Sequence, residues 1–301
     1  MLDIPLTLTV EDAHRRYETI RSRLPDIGQT GPARLATRLL ETAEHYDGYL
    51  FDSFGVLNIG ETAIPGAAAC LDALRAMGKR FCILTNAASY TSAAALAKYH
   101  KMGLDVRAGE VVSSRDVLFA HLGQTEPGLH WAAICAASDR FEDAPFPLSD
   151  LADGVADWDA AEGFIFLSSA RWNMALQERL LASLRRRPRP VAVGNPDLVA
   201  PREGGLTIEP GYWAHDLQDR TGIVPAFFGK PFREAFLAGA EKLGGGRIAM
   251  VGDTLHTDIL GGHAAGFDTI LVTRQGLYAG RPIADFISDA GITPTWQIPS
   301  I

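Results

Sequence analysis

The chain has 301 residues, of which 47% are hydrophobic, and it carries a formal net charge of −8. This length suits one large domain or two ordinary ones, with enough apolar side chains for a sizeable core. An acidic chain without a stripe of Lys and Arg argues against nucleic acid and anionic membrane as its main partners.

The cysteines and the apolar runs bear on cellular location. Cys70, Cys82 and Cys135 lie in apolar contexts without CxxC spacing, so we expect buried thiols in a reducing compartment, neither bridges nor metal ligands. No run approaches the roughly 18 apolar residues that span a bilayer, and the N-terminus shows no signal-type segment. We therefore expect a soluble, cytoplasmic protein, for which a homodimer is one assembly left open.

Residues 1–46 predict a helical N-terminal extension that packs on the rest of the chain. Apolar residues recur at helical spacing on either side of a break at residues 28–32. The two stripes are Val10, Ala13, Tyr17, Ile20 and Leu24, then Leu35, Leu39, Leu40 and Ala43.

From residue 47 onward, short apolar or β-branched runs alternate with helical patterns. This alternation is typical of a parallel sheet with helices on both faces, so we predict an α/β, Rossmann-like, doubly wound core. The predicted strands are 48–53, 80–84, 110–113, 224–229, 247–252 and 268–273. The predicted helices are 66–77, 91–102, 231–243 and 257–266.

The middle of the chain, residues 115–210, has a different character. Strand-like segments surround a predicted helix at 173–187, which ends in a basic cluster where cations suit the helix dipole. We expect a second α/β unit inserted into the first, so that residues 47–114 and 211–301 together form the core. The strand-like segments are 131–136, 163–168 and 190–194.

Four polar segments fall where predicted strands end, which is where open α/β sheets place their chemistry. Asp52 follows an apolar run, and Gly55 permits a tight backbone turn that suits a carboxylate nucleophile. Each segment alone is weak evidence, because Gly-Asp pairs and Thr-Asn pairs commonly form turns and helix caps. All four in this order indicate one shared site. The other three are Thr85-Asn86, Gly229-Lys230-Pro231 and the loop from Val251 to Asp258.

With these segments in this order, the sequence resembles the haloacid dehalogenase-like superfamily of aspartate-nucleophile phosphotransferases. The Gly229-Lys230-Pro231 and Gly194-Asn195-Pro196-Asp197 elements, with a large insert after the third strand, resemble its class IIA. That class includes phosphatases of pyridoxal phosphate, p-nitrophenyl phosphate, phosphoglycolate and nucleotides. The resemblance covers roughly residues 46–280 and implies a C2-type α/β cap domain at 115–210.

The resemblance implies a Mg²⁺-dependent hydrolysis of a small phosphorylated metabolite. Mg²⁺ favours oxygen ligands that include one or two carboxylates, and the family pattern assigns Asp52, Asp253 and the backbone carbonyl of Phe54 to it. Asp258 either binds the ion, directly or through water, or orients Lys230. Asp52 attacks phosphorus to give an aspartyl-phosphate, which water then hydrolyses.

The same resemblance implies which groups stabilise the phosphoryl oxygens. Lys230, Thr85 and the backbone N–H groups that follow Asp52 would face the charge that develops on the equatorial oxygens. The phosphate and substrate contacts that we expect are Ser53, Phe54, Thr85, Asn86, Lys230, Asn195 and Asp197.

Phe54 departs from the family pattern. Family phosphatases usually carry a second Asp two residues after the nucleophile, which protonates the leaving alcohol and then activates water. Such general acid–base help is worth about 10²–10⁴-fold in rate. We expect binding of Mg²⁺ and phosphate to persist, because position 54 contributes only its backbone oxygen, and turnover of alkyl monoesters to suffer.

Three interpretations of this substitution stay open. The protein is a phosphatase tuned to good leaving groups such as aryl or acyl phosphates, or it borrows an acid from the cap or the substrate. Alternatively it is a silenced relative that binds a phosphorylated metabolite. Dehalogenase members of the superfamily have Tyr at this position. Their last motif lacks the metal-type Gly-Asp pair, which this chain keeps at Gly252-Asp253, so we expect phosphate chemistry before dehalogenation. The sequence also resembles a class IIA branch with N-terminal helices and an aromatic residue here.

Several residues near these motifs are expected to have ordinary structural roles. His256 is predicted to face solvent in a loop, with a role as substitute acid or base as the alternative, and Thr257 is predicted to cap the following helix. Asn195 and Asp197 most simply form a turn, with a substrate role equally open. Arg171 is predicted to lie on a surface loop, although it follows a cap strand and could reach a substrate.

Overall fold

The computed structural model describes residues 8–152, 158–202 and 204–301. Its helices are α1 (Val10–Thr19), α2 (Ala67–Ala76), α3 (Ser92–Lys101), α4 (Ser114–Thr125), α5 (Met174–Arg186), α6 (Pro210–Thr221), α7 (Arg233–Leu243), α8 (Leu260–Ala264) and α9 (Ile283–Ala290). Its strands are β1 (Arg34–Leu35), β2 (Gly48–Phe51), β3 (Asn58–Ile59), β4 (Thr62–Ala63), β5 (Arg80–Thr85), β6 (Val111–Ser113), β7 (Trp131–Ile134), β8 (Leu148–Asp150), β9 (Gly163–Phe166), β10 (Val191–Val193), β11 (Val199–Arg202), β12 (Gly205–Ile208), β13 (Ala226–Phe227), β14 (Ile248–Gly252), β15 (Asp268–Val272) and β16 (Trp296–Ile298).

The main sheet of the described chain is parallel throughout, in the order β1-β16-β15-β14-β2-β5-β6. Successive side chains of a strand point to opposite faces, and the fully buried strand β2 shows this directly. Tyr49 and Phe51 pack against α2 and α3 on one face, whereas Leu50 packs against Ala235 and Phe236 of α7 on the other. The predicted doubly wound α/β core is confirmed.

A second parallel sheet, in the order β13-β10-β9-β7-β8, forms the inserted unit. Phe164 and Phe166 face α5 and α6, while Ile165 between them faces α4 on the opposite side. The antiparallel hairpin β11–β12 extends from this unit, before α6 begins at Pro210.

The strand predicted at 224–229 does not belong to the main sheet. Its observed part, Ala226–Phe227, pairs with β10 of the second sheet. Helix α6, which precedes it, also packs in the core of that second unit through Trp213 and Leu217. The chain therefore returns to the main sheet after β13, later than the expected return at residue 211.

Residues 8–46, the described part of the N-terminal segment, contain one α-helix where two helices were expected. The stripe from Leu35 to Ala43 does not form a helix: Arg34–Leu35 pairs with the edge strand β16, and Leu39–Thr42 forms a 3₁₀ turn. Helix α1 is confirmed and begins with a capping box in which the Thr9 side chain accepts a hydrogen bond from the Asp12 N–H.

Helix α1 touches both α/β units. On the side of the main sheet, Glu18 bonds to the His256 ring, with 2.5 Å between Oε1 and Nε2. On the side of the second unit, Arg16 pairs with Asp219 of α6 at 2.5 Å. The hydroxyl of Tyr17 accepts the N–H of Leu198 at the junction between the units, at 3.1 Å.

Two simpler expectations concern the cysteines and the membrane. Cys70, Cys82 and Cys135 are free and buried, as predicted. Among the helices of the described ranges, none combines the length and the apolar character that crossing a bilayer requires.

Candidate active site

Three neighbouring strands bring the central polar residues together. The order β14-β2-β5 is continuous and parallel, so the carboxyl ends of these strands lie side by side. Asp253 follows β14, Asp52 follows β2, and Thr85 is the last residue of β5. This is the edge at which open α/β sheets bind their ligands.

The turn after Asp52 depends on glycine. Gly55 has a φ of +82°, and a Cβ built on it would lie 2.5 Å from Oδ2 of Asp253. A side chain at this position would therefore both strain the backbone and displace the second acid. Glycine at position 55 therefore allows the loop after Asp52 to lie close to Asp253.

Asp52 is held through one of its two carboxylate oxygens. Oδ1 accepts the Ser53 N–H at 2.7 Å and lies 2.6 Å from Nζ of Lys230. The other oxygen, Oδ2, makes no hydrogen bond with the described residues, and Asp52 lines the central cavity. Oδ2 is thus the Asp52 oxygen that has no hydrogen-bond donor among the described residues.

Ser53 is not among the described residues that line the cavity, and the substrate contact expected of Ser53 stays a prediction. Its Oγ donates to Oδ1 of Asn58 at 2.7 Å and accepts the Tyr99 hydroxyl at 2.9 Å, in a buried network. The backbone N–H is its only group directed toward Asp52.

Lys230 is a buried cation between two carboxylates. Its Nζ lies 2.6 Å from Oδ1 of Asp52 and 2.6 Å from Oδ1 of Asp258. Asn86 fixes its backbone, because Asn86 Oδ1 accepts the Lys230 N–H at 2.7 Å and Asn86 Nδ2 donates to the Lys230 carbonyl at 2.9 Å. The Asn86 side chain therefore positions the lysine, and the phosphate contact expected of Asn86 stays a prediction, since Asn86 lines the cavity.

The loop after β14 is organised by Asp258 within a π-helical turn at Leu255–Ile259. Oδ2 of Asp258 accepts the N–H groups of Asp253 and Thr254 at 3.1 and 3.0 Å, and Oδ1 faces Lys230. Both oxygens are occupied in this way. Of the two roles that the sequence left open for Asp258, this geometry favours orienting the lysine.

The nearby protein groups do not supply enough positive charge to keep all the buried carboxyl groups of the site ionised. Burial raises the pKa of Asp52 to about 7, against the opposing effect of Lys230. Burial, together with neighbouring Asp258 and Asp52, also raises the pKa of Asp253 well above its ordinary value. Burial alone would lower the pKa of Lys230, but the carboxylates of Asp258 and Asp52 outweigh it and raise that pKa. The lysine is therefore charged, and the acids favour an additional cation.

The acid cluster fits a divalent metal ion. Asp52, Asp253 and Asp258 each offer a carboxylate oxygen, and these oxygens lie within 4.8 Å of one another. Gly276 leaves room for the second acid, since a Cβ there would lie 2.0 Å from Oδ2 of Asp253. An all-oxygen donor set suits a hard cation such as Mg²⁺.

A cavity of about 700 Å³ opens above these residues, between the two α/β units. Thr85 lines it, and its Oγ1 accepts the Ala87 N–H at 3.2 Å, which leaves the hydroxyl proton free to be donated. The second unit contributes Trp172, Trp213 and much of the β11–β12 hairpin. The cavity thus combines an acidic floor with a partly apolar wall.

Comparison with known proteins decides the family. A model of haloacid dehalogenase-like hydrolases matches residues 49–143, and a second model of HAD-like hydrolases matches residues 227–300. A protein named glycerol-3-phosphate phosphatase from Gallus gallus is 30% identical, over 91% of this chain and 93% of its own length. The chain belongs to the haloacid dehalogenase-like hydrolases.

Other members of this family extend the similarity. An acid sugar phosphatase of Staphylococcus aureus is 25% identical, over 86% of this chain and 96% of its own. The crystal structure of a possible sugar phosphatase from Cytophaga hutchinsonii superimposes with a TM-score of 0.78 at 28% identity, covering 89% and 98% of the two chains. The predicted resemblance to class IIA of the haloacid dehalogenase-like superfamily is confirmed.

The position of His256 differs from the one predicted. It is fully buried, its ring stacks on Tyr17 with centroids 4.7 Å apart, and its Nε2 bonds to Glu18. The expectation of a solvent-facing loop residue was wrong because the N-terminal helix covers it. Thr257 lies inside the π-helical turn, so the expectation that it caps the helix was also wrong.

The turn predicted from Asn195 and Asp197 is confirmed, since the Asp197 N–H donates to Oδ1 of Asn195 at 3.0 Å. Both residues also line the cavity, and Oδ1 of Asp197 accepts Nδ2 of Asn86 at 2.8 Å. Burial raises the pKa of Asp197 to about 7 despite Lys230. Arg171 pairs with Asp150 inside the second unit and is not among the cavity residues.

Several cavity residues of this hydrolase were missed by sequence reasoning. They come from three separate places: helix α1, the β3–β4 region with helix α3, and the β11–β12 hairpin. No motif spacing marks them, and each reaches the cavity only through tertiary packing. They include Tyr17, Glu61, Lys98, Arg202 and Glu209.

Proposed function

We propose that the protein is a cytoplasmic, Mg²⁺-dependent phosphatase of small phosphorylated metabolites, with Asp52 as the nucleophile. The observation that carries the proposal is the position of Asp52, which lines the cavity and whose Oδ1 lies 2.6 Å from Nζ of Lys230. The phosphatase names of the relatives support the same chemistry. The buried free thiols support the location.

Asp52 and Asp253 would hold the metal ion together with the backbone carbonyl of Phe54, while Asp258 keeps Lys230 in place. When bound, the ion supplies positive charge that allows an anionic phosphate to approach a carboxylate. All other contacts with the phosphate would come from side chains and backbone groups of the chain.

In the first step, Oδ2 of Asp52 attacks phosphorus, and the bond from phosphorus to the leaving oxygen breaks, which gives an aspartyl-phosphate. The Thr85 hydroxyl, the Phe54 backbone N–H and the Lys230 ammonium would face the equatorial oxygens and stabilise their charge. The neighbouring Ser53 and Gly55 N–H groups already donate to Oδ1 of Asp52 and to the Asn58 carbonyl. In the second step, water attacks phosphorus and the bond between phosphorus and Oδ2 of Asp52 breaks. This restores the carboxylate, releases inorganic phosphate, and passes the proton of the water to that phosphate or to solvent.

The proton that the leaving alkoxide needs has no donor at position 54, because Phe54 lines the cavity there. We therefore propose weak activity on alkyl monoesters, reduced by about 10²–10⁴-fold relative to a site with an acid. The leaving groups of aryl and acyl phosphates, a phenolate and a carboxylate, depart without protonation. The hydrolysis rate of these substrates is therefore reduced less.

The test is hydrolysis of p-nitrophenyl phosphate and acetyl phosphate with Mg²⁺ or with EDTA, by wild type and by Asp52→Asn. We expect turnover that needs both Mg²⁺ and Asp52. Turnover indifferent to both changes refutes the proposal. Thermal stabilisation by phosphate and Mg²⁺ without any turnover would instead identify a silenced, metabolite-binding relative.

A further inference from the structure

Two cations contact the ring of Phe54 from different parts of the fold. Nζ of Lys98, on helix α3 of the main unit, lies 4.9 Å from the ring centroid. Cζ of Arg202, at the end of β11 in the hairpin, lies 4.6 Å from the same centroid. All three residues line the cavity that contains Asp52. The position at which an acid was expected therefore gathers two positive charges.

The aromatic ring holds these cations without cancelling their charge. A cation is attracted to the negative face of an aromatic ring by about 0.5–2 kcal/mol, depending on its exposure to water. A carboxylate at position 54 would instead form ion pairs with the same groups and neutralise them. With Phe54 in place, Lys98 and Arg202 keep their charge for another anion.

Each of these cations also faces a carboxylate among the described residues. Nζ of Lys98 is 2.8 Å from Glu61, whose side chain is 67% exposed, so water competes with Lys98 for this carboxylate. Arg202 is 3.4 Å from Oε1 of Glu209, whereas Thr207 donates to that oxygen at 2.7 Å. Glu209, which directly precedes α6, also accepts Nδ2 of Asn195 at 3.2 Å, so Arg202 is one of three donors to this carboxylate and has further N–H groups of its own.

We infer that Lys98 and Arg202 form a second anion subsite, which selects phosphate monoesters that carry another anionic group, a carboxylate or a second phosphate. This inference rests on the proposed phosphatase function and names its substrate class. The cavity of about 700 Å³ has room for both anionic groups of such a small molecule.

The test compares substrates that share a carbon skeleton but differ in the second charge. One pair is 3-phosphoglycerate and glycerol 3-phosphate, and the other is fructose bisphosphate and fructose 6-phosphate. We expect the wild type to prefer the more anionic member of at least one pair by about tenfold in kcat/KM, the effect of one charge-assisted contact. A preference within the first pair identifies a site for a carboxylate, and a preference within the second pair identifies a site for a second phosphate.

Lys98→Gln and Arg202→Gln should remove this preference by raising KM for the anionic substrate about tenfold. Their kcat/KM for p-nitrophenyl phosphate should stay within about twofold of wild type, and Arg202→Lys should restore part of the preference. Lys101→Gln is the matched control, because Lys101 is exposed on the same helix and is not among the cavity residues.

Equal kcat/KM within both substrate pairs, or variants that slow every substrate alike, would overturn the subsite while leaving the phosphatase proposal intact. If nothing is hydrolysed, the phosphatase proposal fails, and ligand-induced thermal stabilisation takes over as the readout. Preferential stabilisation by 3-phosphoglycerate that Arg202→Gln abolishes would still support the subsite. Equal stabilisation by both members of each pair would overturn it.

Discussion

Replacing Lys230 with Met tests the electrostatic arrangement of the candidate site. The ammonium lies 2.6 Å from a carboxylate oxygen of Asp52 and 2.6 Å from one of Asp258, and its side chain is 2% exposed. At an effective dielectric constant of about 20, each contact has a Coulomb energy of about 6 kcal/mol, most of which offsets desolvation. Removing one partner of such a buried pair typically costs about 3–5 kcal/mol of unfolding free energy.

We therefore expect Lys230→Met to lower the unfolding temperature by roughly 10 °C at pH 7.5 in EDTA. Saturating Mg²⁺ should stabilise the variant more than the wild type, because the ion replaces part of the missing positive charge. Differential scanning fluorimetry measures both shifts. Lys242→Met, at an exposed position of helix α7, is the control and should change neither value.

The reasoning is refuted if Lys230→Met unfolds at the wild-type temperature in EDTA, because the acids would then not need the lysine. A second check uses pH. At pH 5 the carboxyl groups that lost their counter-charge can take up protons, so the deficit of the variant should shrink. A deficit that is equal at pH 5 and pH 7.5 would indicate lost packing and not lost charge.

Three further predictions concern the same loops. Phe54→Asp should accelerate alkyl monoester hydrolysis by only about 10²-fold, since two adjacent cations keep the new acid ionised, and Phe54→Asn should give no gain in kcat. Gly55→Ala should lower the unfolding free energy by about 1–3 kcal/mol more than Gly78→Ala in urea titrations, because Gly78 has a similar φ of +72° but open space around it. In EDTA, the raised pKa values of Asp52 and Asp253 mean that the folded state binds protons below about pH 7, before the unfolded chain does. Lowering the pH from 8 to 5 should therefore raise the unfolding temperature, and less so in Asp52→Asn; an equal rise in both proteins would contradict this.

Much of the fold and the reacting groups could be predicted from the sequence because they follow local rules. Apolar runs mark strands, and in a parallel sheet the residues after neighbouring strands must meet at one edge. Asp52, Thr85 and Asp253 were found in this way. Lys230 was found because it precedes a helix in the expected order, although its strand, β13, lies in the other sheet.

What the sequence could not give depends on tertiary contacts. The stripe from Leu35 to Ala43 has helical spacing, but pairing of β1 with the edge strand β16 overrides it. The apolar run 224–229 signals a strand without saying which sheet it joins. Lys98 and Arg202 are far apart in sequence, and only the tertiary fold brings both to the ring of Phe54.

Helix α1 has a mechanical consequence for the cavity. Through Glu18 it is fastened to the loop that follows β14, and through Arg16 and Tyr17 it is fastened to α6 and to Leu198. Widening the space between the two α/β units must either break these bonds or drag the helix along. Removing α1 by truncation would therefore take away contacts that join the two units on either side of the cavity, as well as part of the core.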